Sequence, residues 1–449
     1  MNASETQPIP LHADTTRRLF NPVFLKCFIN GALNTGGAQV IRLAGNLVLT
    51  RLLFPEAFGI MALVTVVLVG LEMFSDVGVS ATLIQRKKEP SLKLLQTAWT
   101  VQVIRGFTLW AIAALAAFPL AAFYDKPELA LILPVSAITL IFAGFKSTSI
   151  HLTERNLNPG PLMRIDLGGA ILGLIVAAAI AWVYPTIWAL VICGLVSVGT
   201  TSIASWWLPY QVQHRFKWDR ECLRELVSFG RWIFLATLLT FVSANIDRIT
   251  LGKILTAGEL GLYTIAFFLS QSVAQLIVGV SNRVIFPILS REKDESRFAK
   301  LRNLFLFGSL LPMGGLFLLG PWLIGILYSE QYAQSADLLL ILTFSTAPMI
   351  VRALSEPVIL SRGRPKSKML INGAEALLLV GCLLIAVPKF GFVGYLVGYS
   401  VGQYLSLIPT AIIMHREGMK TWLTDLSFIC AICAFAAIGF LIYQPSLTF

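Results

Sequence analysis

Twelve polar or charged side chains inside apolar stretches are where this chain's chemistry would sit. In the run 27–53, Gln39, Arg42 and Asn46 follow i, i+3, i+7 spacing, which puts them on one helix face. A guanidinium between two amides suits an anionic ligand, because its planar fork matches phosphate oxygens. The competing use of Arg42 is to snorkel or to pair with Glu72 or Asp76. Those two acids are i, i+4 in the run 58–84, close enough to share a proton, as a relay or cation site does. Pairing with Arg42 or Arg105 is their simpler use. Arg105, midway along 94–122, is either a second cavity cation or the salt-bridge partner of 58–84. In 228–252, Asn245 and Arg248 share a face by i, i+3 spacing, while Asp247 points toward a neighbouring helix. Arg248 lies toward one end, where snorkelling competes with ligand binding. Arg352 and Glu356 are i, i+4 and read as an internal ion pair. Glu375 has no partner in its own stretch and joins Glu72, Asp76 and Asp247 as an ion-coupling candidate.

The elements that position these residues are membrane helices. Hydrophobic residues make up 56% of the chain and charged ones 13%, against roughly 25% charged in a typical globular domain. Apolar runs near the ~20 residues needed to cross a bilayer recur throughout. The expected spans are 27–53, 58–84, 94–122, 128–150, 161–184, 187–208, 228–252, 259–284, 302–328, 336–360, 367–388, 392–414 and 422–443. The alternating ten-residue segments of a β-barrel are missing. The fold class is therefore all-α and polytopic.

Other chemistries find little support. There is no G-x-x-x-x-G-K-[ST] run for nucleotide hydrolysis. His12, His151, His214 and His415 make no metal-ligand spacing. Cys430-Ala-Ile-Cys433 lies in an uninterrupted apolar helix, unlike a redox motif. The net charge of +11 follows the loops rather than a nucleic-acid surface, so no nucleic-acid partner is expected. No cofactor is expected beyond a coupling proton or sodium ion. Residues 1–24 are polar and lack a cleavable leader pattern.

Lysine and arginine set the orientation. Basic clusters such as Arg86-Lys87-Lys88, Arg215 to Arg231 and Arg362 to Lys368 fall on alternate loops, whereas the opposite side holds only Arg51, Lys126, Lys253 and Lys389. By the positive-inside rule the N-terminus and the basic loops are cytoplasmic. The outer loops are short, which speaks against an enzyme holding an extracellular substrate.

An internal repeat organises the chain. Arg51-Leu-Leu-Phe-Pro-Glu-Ala-Phe-Gly59 resembles Lys253-Ile-Leu-Thr-Ala-Gly-Glu-Leu-Gly261, and Val77-Gly-Val-Ser80 recurs as Val278-Gly-Val-Ser281. Six crossings plus a loop separate the copies, so both halves share one orientation, with a pseudo-twofold axis along the membrane normal. The expected organisation is a cytoplasmic segment 1–26, an N-lobe 27–208, a linker 209–227, a C-lobe 228–414 and an extra membrane helix in 415–449. The row Gly394, Gly398, Gly402 serves close helix packing.

On the pieces Leu49 to Gly59, Asp76 to Lys87, Asn245-Ile-Asp247 with Leu251-Gly252, and Val280 to Pro287, the chain resembles bacterial polysaccharide repeat-unit flippases of the multidrug/oligosaccharidyl-lipid/polysaccharide exporter superfamily, in the branch for exopolysaccharide and lipopolysaccharide units. The resemblance implies two six-helix lobes around a central cavity. It implies a non-enzymatic carrier in the inner membrane that moves an undecaprenyl-pyrophosphate-linked oligosaccharide by alternating access, alongside a polysaccharide polymerase and export machinery. Gln39, Arg42, Asn46, Arg105, Asn245 and Arg248 would then line the cavity. Two alternatives stand beside it. A cation-coupled drug antiporter of the same superfamily would want acidic cavity walls. A membrane polymerase or ligase would want a large outer loop.

Overall fold

The structure, a computed structural model, describes residues 37, 39–75, 79–85, 89–156, 159–210, 212–230, 234–292, 295–362 and 365–444. Among them every regular element is a helix. Asp76, Val77 and Gly78, Arg86 to Lys88, and 27–36 of the first expected span lie outside the described residues.

The first half holds α1 (39–52), α2 (Pro55–Phe74), α3 (Val79–Gln85), α4 (Leu92–Tyr124), α5 (Leu129–Ser136), α6 (Ile138–Gly144), α7 (Ser149–Arg155), α8 (Pro159–Val183) and α9 (Trp188–Ala204). A non-helical stretch and α10 (Arg220–Gly230) connect it to the second half. That half holds α11 (Phe234–Ile254), α12 (Ala257–Glu292), α13 (Glu295–Gly308), α14 (Leu310–Leu327), α15 (Ser335–Ser361), α16 (Pro365–Leu405) and α17 (Leu407–Arg416), and α18 (Trp422–Tyr443) follows.

Local chemistry sets these boundaries. Pro55 opens α2 where its missing N–H costs nothing, and Glu56 lies in the positive first turn. At the corresponding place in the second half, the Thr256 N–H and hydroxyl donate to Glu259 Oε2 at 2.8 Å, and the Glu259 N–H donates back to Thr256 Oγ1 at 3.3 Å. That reciprocal pair is a capping box, and it starts α12. Within α16, Gly391 has φ +56°, which turns the chain and splits the element into two antiparallel arms. Gly394, Gly398 and Gly402 on the second arm face Ala386, Cys382 and Leu379 of the first, with no room for side chains between them.

Among the described residues, nine helices are long and apolar enough to span a membrane, and the bent pair 129–144 and 149–155 makes a tenth. One of the nine, Lys366–Arg416, contains the α16 hairpin. Each expected span meets helix wherever it is described, and several differ in detail. The span 128–150 is broken into α5, α6 and α7 and bent by 64°. The span 58–84 is interrupted after Phe74, and α12 runs on to Glu292, past the expected end at 284.

The packing is shared at one end and divided at the other. Leu49, Leu53, Phe58 and Tyr124 from the first half join Leu251, Leu260, Tyr328 and Tyr332 from the second in one continuous apolar core. This is the cation-poor end, carrying Arg51, Lys126 and Lys253. Toward the cation-rich end the cores separate. Val79, Leu83, Leu94 and Leu95 pack with Leu226 of α10, while Phe298, Phe317, Ile350 and Leu354 pack with Phe428 and Ile432 of α18. Two lobes joined at one end and parted at the other leave space between them.

Candidate functional site

A cavity of about 620 Å³ lies against the second lobe. Its walls are α11 (Ser243, Asn245, Arg248), α12 (Phe267, Gln271, Gln275), α15 (Arg352, Glu356) and α16 (Asn372, Glu375, Tyr399, Gln403). The first lobe contributes Val69 and Met73 of α2. This size lies within the ~300–1,000 Å³ of small-ligand sites.

Arg248 is the cation on this wall without a partner among the described residues. Its guanidinium stands 5.7 Å from the centroid of Phe267, and its buried Nε has no hydrogen-bond acceptor. The ring face holds the cation by roughly 0.5–2 kcal/mol, which orients the group and leaves its N–H donors for a ligand. Asn245 lines the same wall and donates from Nδ2 to the Phe241 carbonyl at 3.1 Å.

Asp247 turns the other way. It is 2% exposed, and its Oδ2 accepts from the Tyr263 hydroxyl at 3.2 Å. Tyr263 and Tyr395 share a hydroxyl contact of 3.2 Å, and Tyr395 stacks on Tyr399, which reaches the cavity. Oδ1 of Asp247 has no partner. A carboxyl buried this deeply is costly to keep charged, and the neighbouring Arg248 is a cation whose charge reaches it.

The remaining charges on this wall are neutralised, and they correct two expectations. Arg352 does not pair with Glu356. It reaches across to Glu375 at 2.6 Å and also donates to Gln403 Oε1 at 2.7 Å and to the Ser406 hydroxyl. Glu356 pairs instead with Lys368 at 2.9 Å. Glu375, which has no partner within its own stretch, is therefore an ion-pair member. The i, i+4 rule describes isolated helices, and here tertiary partners on α16 override it.

The first-lobe candidates do not gather at this cavity. Gln39 is buried and Arg42 is exposed, and neither lines it. Asn46 accepts from the Tyr328 hydroxyl at 2.9 Å, so it joins the lobes. Arg105 donates to the Ser75 hydroxyl at 2.8 Å and the Glu72 carbonyl at 2.6 Å, beside a separate cavity of about 70 Å³ lined by Glu72 and Gln102. Asp76 lies outside the described residues. No group of three His, Cys, Asp or Glu side chains among the described residues is placed to hold a metal.

Tyr263, Tyr395, Tyr399, Gln403 and Phe267 escaped the sequence reading. A signal existed for three of them: Tyr395, Tyr399 and Gln403 repeat at i, i+4, i+8, a polar stripe beside the glycine row.

The profile of a family described as polysaccharide biosynthesis protein matches residues 48–337, more than half of the chain. The teichuronic acid biosynthesis protein TuaB of Bacillus subtilis is 24% identical over 325 residues, covering 70% of this chain and 66% of that protein. The lipopolysaccharide biosynthesis protein WzxC of Escherichia coli is 18% identical over 399 residues, covering 86% and 80%. Among solved structures, the lipid II flippase MurJ in an inward closed conformation superposes with a TM-score of 0.72 at 12% identity, covering 94% of each chain. An inward-facing multidrug resistance MATE transporter superposes at 0.64 with 15% identity, covering 89% of this chain and 96% of that one. At these identities the superpositions establish the fold.

Proposed function

The chain belongs to this family of polysaccharide biosynthesis proteins, and from that membership we propose that it is a flippase for undecaprenyl-pyrophosphate-linked oligosaccharide repeat units. It carries them from the cytoplasmic to the outer leaflet of the bacterial inner membrane by alternating access. The observation that carries this reading is Arg248: a guanidinium held on an aromatic face, unpaired, in a cavity lined with amides. Guanidinium forks onto phosphate oxygens. Asn245, Gln271, Gln275 and Asn372 supply the donors and acceptors that sugar hydroxyls need. The lipid tail stays in the bilayer. Arg42, exposed on the first lobe away from this cavity, would meet the pyrophosphate from the other side, and Gln39, Asn46 and Arg105 are the further first-lobe candidates.

In this reading the cation-rich end and the N-terminus face the cytoplasm, the lobes are 27–208 and 228–414 joined by 209–227, and 415–449 adds one membrane helix. Asp247 carries the coupling ion. Glu375 is held by Arg352, and Glu72 lies outside the large cavity. The flipped units pass to a polysaccharide polymerase and export machinery. The antiporter alternative loses ground because the acids lining the cavity, Glu356 and Glu375, are already paired with Lys368 and Arg352.

The test is deletion of the gene in the native host, with lipid-linked oligosaccharides assigned to leaflets in spheroplasts. Repeat units accumulate on the cytoplasmic leaflet, and wild type but not Arg248→Ala restores export at equal membrane abundance. A normal leaflet distribution in the deletion strain, with no redundant carrier found, refutes the flippase reading. Full restoration by Arg248→Ala refutes the phosphate role.

A further inference from the structure

The two copies of the internal repeat meet face to face at the cation-poor end. A Cβ on Gly59 would overlap the carbonyl oxygen of Ala257, and a Cβ on Gly261 would overlap the carbonyl oxygen of Pro55. Gly59 and Gly261 are 202 residues apart, and so are Pro55 and Ala257. The contact is thus reciprocal: each lobe puts the same carbonyl into the same side-chain-free notch of the other, as in an isologous interface. Any side chain at either glycine would force the lobes apart.

Cations ring this contact. Arg51 donates from Nε and Nη2 to the carbonyls of Leu327 and Ile326 at 3.2 and 3.1 Å, at the C-terminus of α14. Lys126, buried, donates to the carbonyls of Gly252 and Leu255 at 2.7 and 3.0 Å, at the C-terminus of α11. Lys253 pairs with Asp125 at 2.6 Å. The first lobe therefore sends two cations to the negative ends of helices in the second, and the second lobe answers with an ion pair from Lys253 to Asp125. The Tyr332 hydroxyl adds a bond to the Leu53 carbonyl at 2.8 Å.

We infer that this clasp is the outer gate of the transport cycle, built so that Gly59 and Gly261 are required only in the state that is closed at this end. The inference rests on the alternating-access reading above. Because the glycine contacts lie on one pseudo-twofold and share their lobes with the cation caps, the gate opens as a unit. Side chains at the glycines shift the equilibrium toward the open state without touching either lobe's own core.

The experiment measures conformation rather than transport, so it stands apart from the identity of the cargo. Spin labels go on Tyr184→Cys and Phe390→Cys, which are 69% and 68% exposed at the same end on opposite lobes, in a background with the six native cysteines replaced. Distances are read by pulsed electron resonance in nanodiscs without ligand. Gly59→Ala combined with Gly261→Ala raises the open-to-closed ratio roughly tenfold or more, the scale of an overpacked contact. Gly194→Ala and Gly315→Ala, whose surroundings have space, leave it unchanged. Arg51→Met combined with Lys126→Met moves it in the same direction without steric insertion. A wild-type distance distribution in the folded glycine variant overturns the inference. If that variant does not fold, an unchanged distribution in the cation variant overturns it, as does an equal shift in the control glycines. A shift to longer distances with leaflet distribution unaffected by gene deletion would sustain the gate and sink the flippase.

Discussion

Removing the Glu375 carboxylate tests whether the cavity's acids are structural or functional. Arg352 and Glu375 are 2.6 Å apart, with side chains 9% and 14% exposed. Breaking a buried pair from one side costs about 3–5 kcal/mol, because the orphaned charge stays buried and arginine does not deprotonate. Arg352 keeps its bonds to Gln403 and Ser406, so the lower end applies, and Glu375→Ala should cost ~3 kcal/mol. In thermal unfolding of the detergent-solubilised protein that is a fall on the order of 5 °C in apparent Tm. Glu375→Gln keeps an acceptor and loses only the charge, at ~1–2 kcal/mol. The double variant Arg352→Met with Glu375→Met replaces the pair by apolar side chains and should recover most of the loss. The double-mutant cycle then gives a coupling of ~2 kcal/mol or more. Additive single effects would refute the pair as drawn. Near-wild-type transport by Glu375→Gln is expected as well, since an ion-pair anchor is not a coupling site.

Asp247→Asn removes the buried charge while keeping an acceptor for Tyr263. It should leave apparent Tm unchanged or raised and abolish the dependence of transport on a proton or sodium gradient; gradient dependence retained in this variant would remove Asp247 from the coupling role. His214 provides a pH prediction outside the membrane. The Thr148 N–H donates to its Nε2 at 3.1 Å, and its ring stands against Trp99 and Trp206. Burial holds its pKa below the ordinary histidine range. The unfolded state therefore binds the proton more tightly, so the contribution to stability is present in full above about pH 6.5 and is lost as pH falls through the depressed folded value. Protection factors for hydrogen exchange across 208–219, each taken against the intrinsic rate at its own pH, should fall between pH 8 and pH 5 in wild type and not in His214→Gln, and equal protection at both pH values in wild type would contradict this docking.

Much of the helix layout was legible because each span is a run of apolar residues bounded by charge or by Gly and Pro. The turn at 53–55 and the paired turn at 255–257 fell where the repeat placed them. Other features depended on contacts between distant stretches. Nothing local tells Arg352 to choose Glu375, 23 residues away, over Glu356, one turn away. The Asp247–Tyr263–Tyr395 chain joins three helices. Its tyrosines read as ordinary interfacial or core aromatics until their hydroxyls are seen to converge. The break at Ala137 follows Pro134, but the 64° bend lies further on, at 145–148, where neither proline nor glycine marks it in the sequence.

The repeat also shows why the polar positions of the two lobes diverge while the clasp does not. At the 202-residue offset, Arg42 corresponds to Ala244, Gly45 to Asp247 and Asn46 to Arg248. The apparent likeness between the polar faces of the first and seventh spans is therefore out of register by one helical turn, about 6 Å along the axis. The structure bears out the difference. Asn46 bonds Tyr328 across the lobes, while Arg248 stands free in the cavity. A contact between two lobes across a pseudo-twofold must satisfy both copies with the same geometry, so each glycine has to match the other's carbonyl. The lipid-linked sugar proposed as cargo has no twofold axis, so under that proposal nothing in its shape asks the two walls to be alike. Symmetry is kept where the protein meets itself and dropped at the cavity wall. The cations Arg51, Lys126 and Lys253, exceptions to the charge rule on an otherwise cation-poor side, stand on the symmetric part. Their place there follows from what each bonds in the other lobe: Arg51 and Lys126 cap helix C-termini, and Lys253 pairs with Asp125.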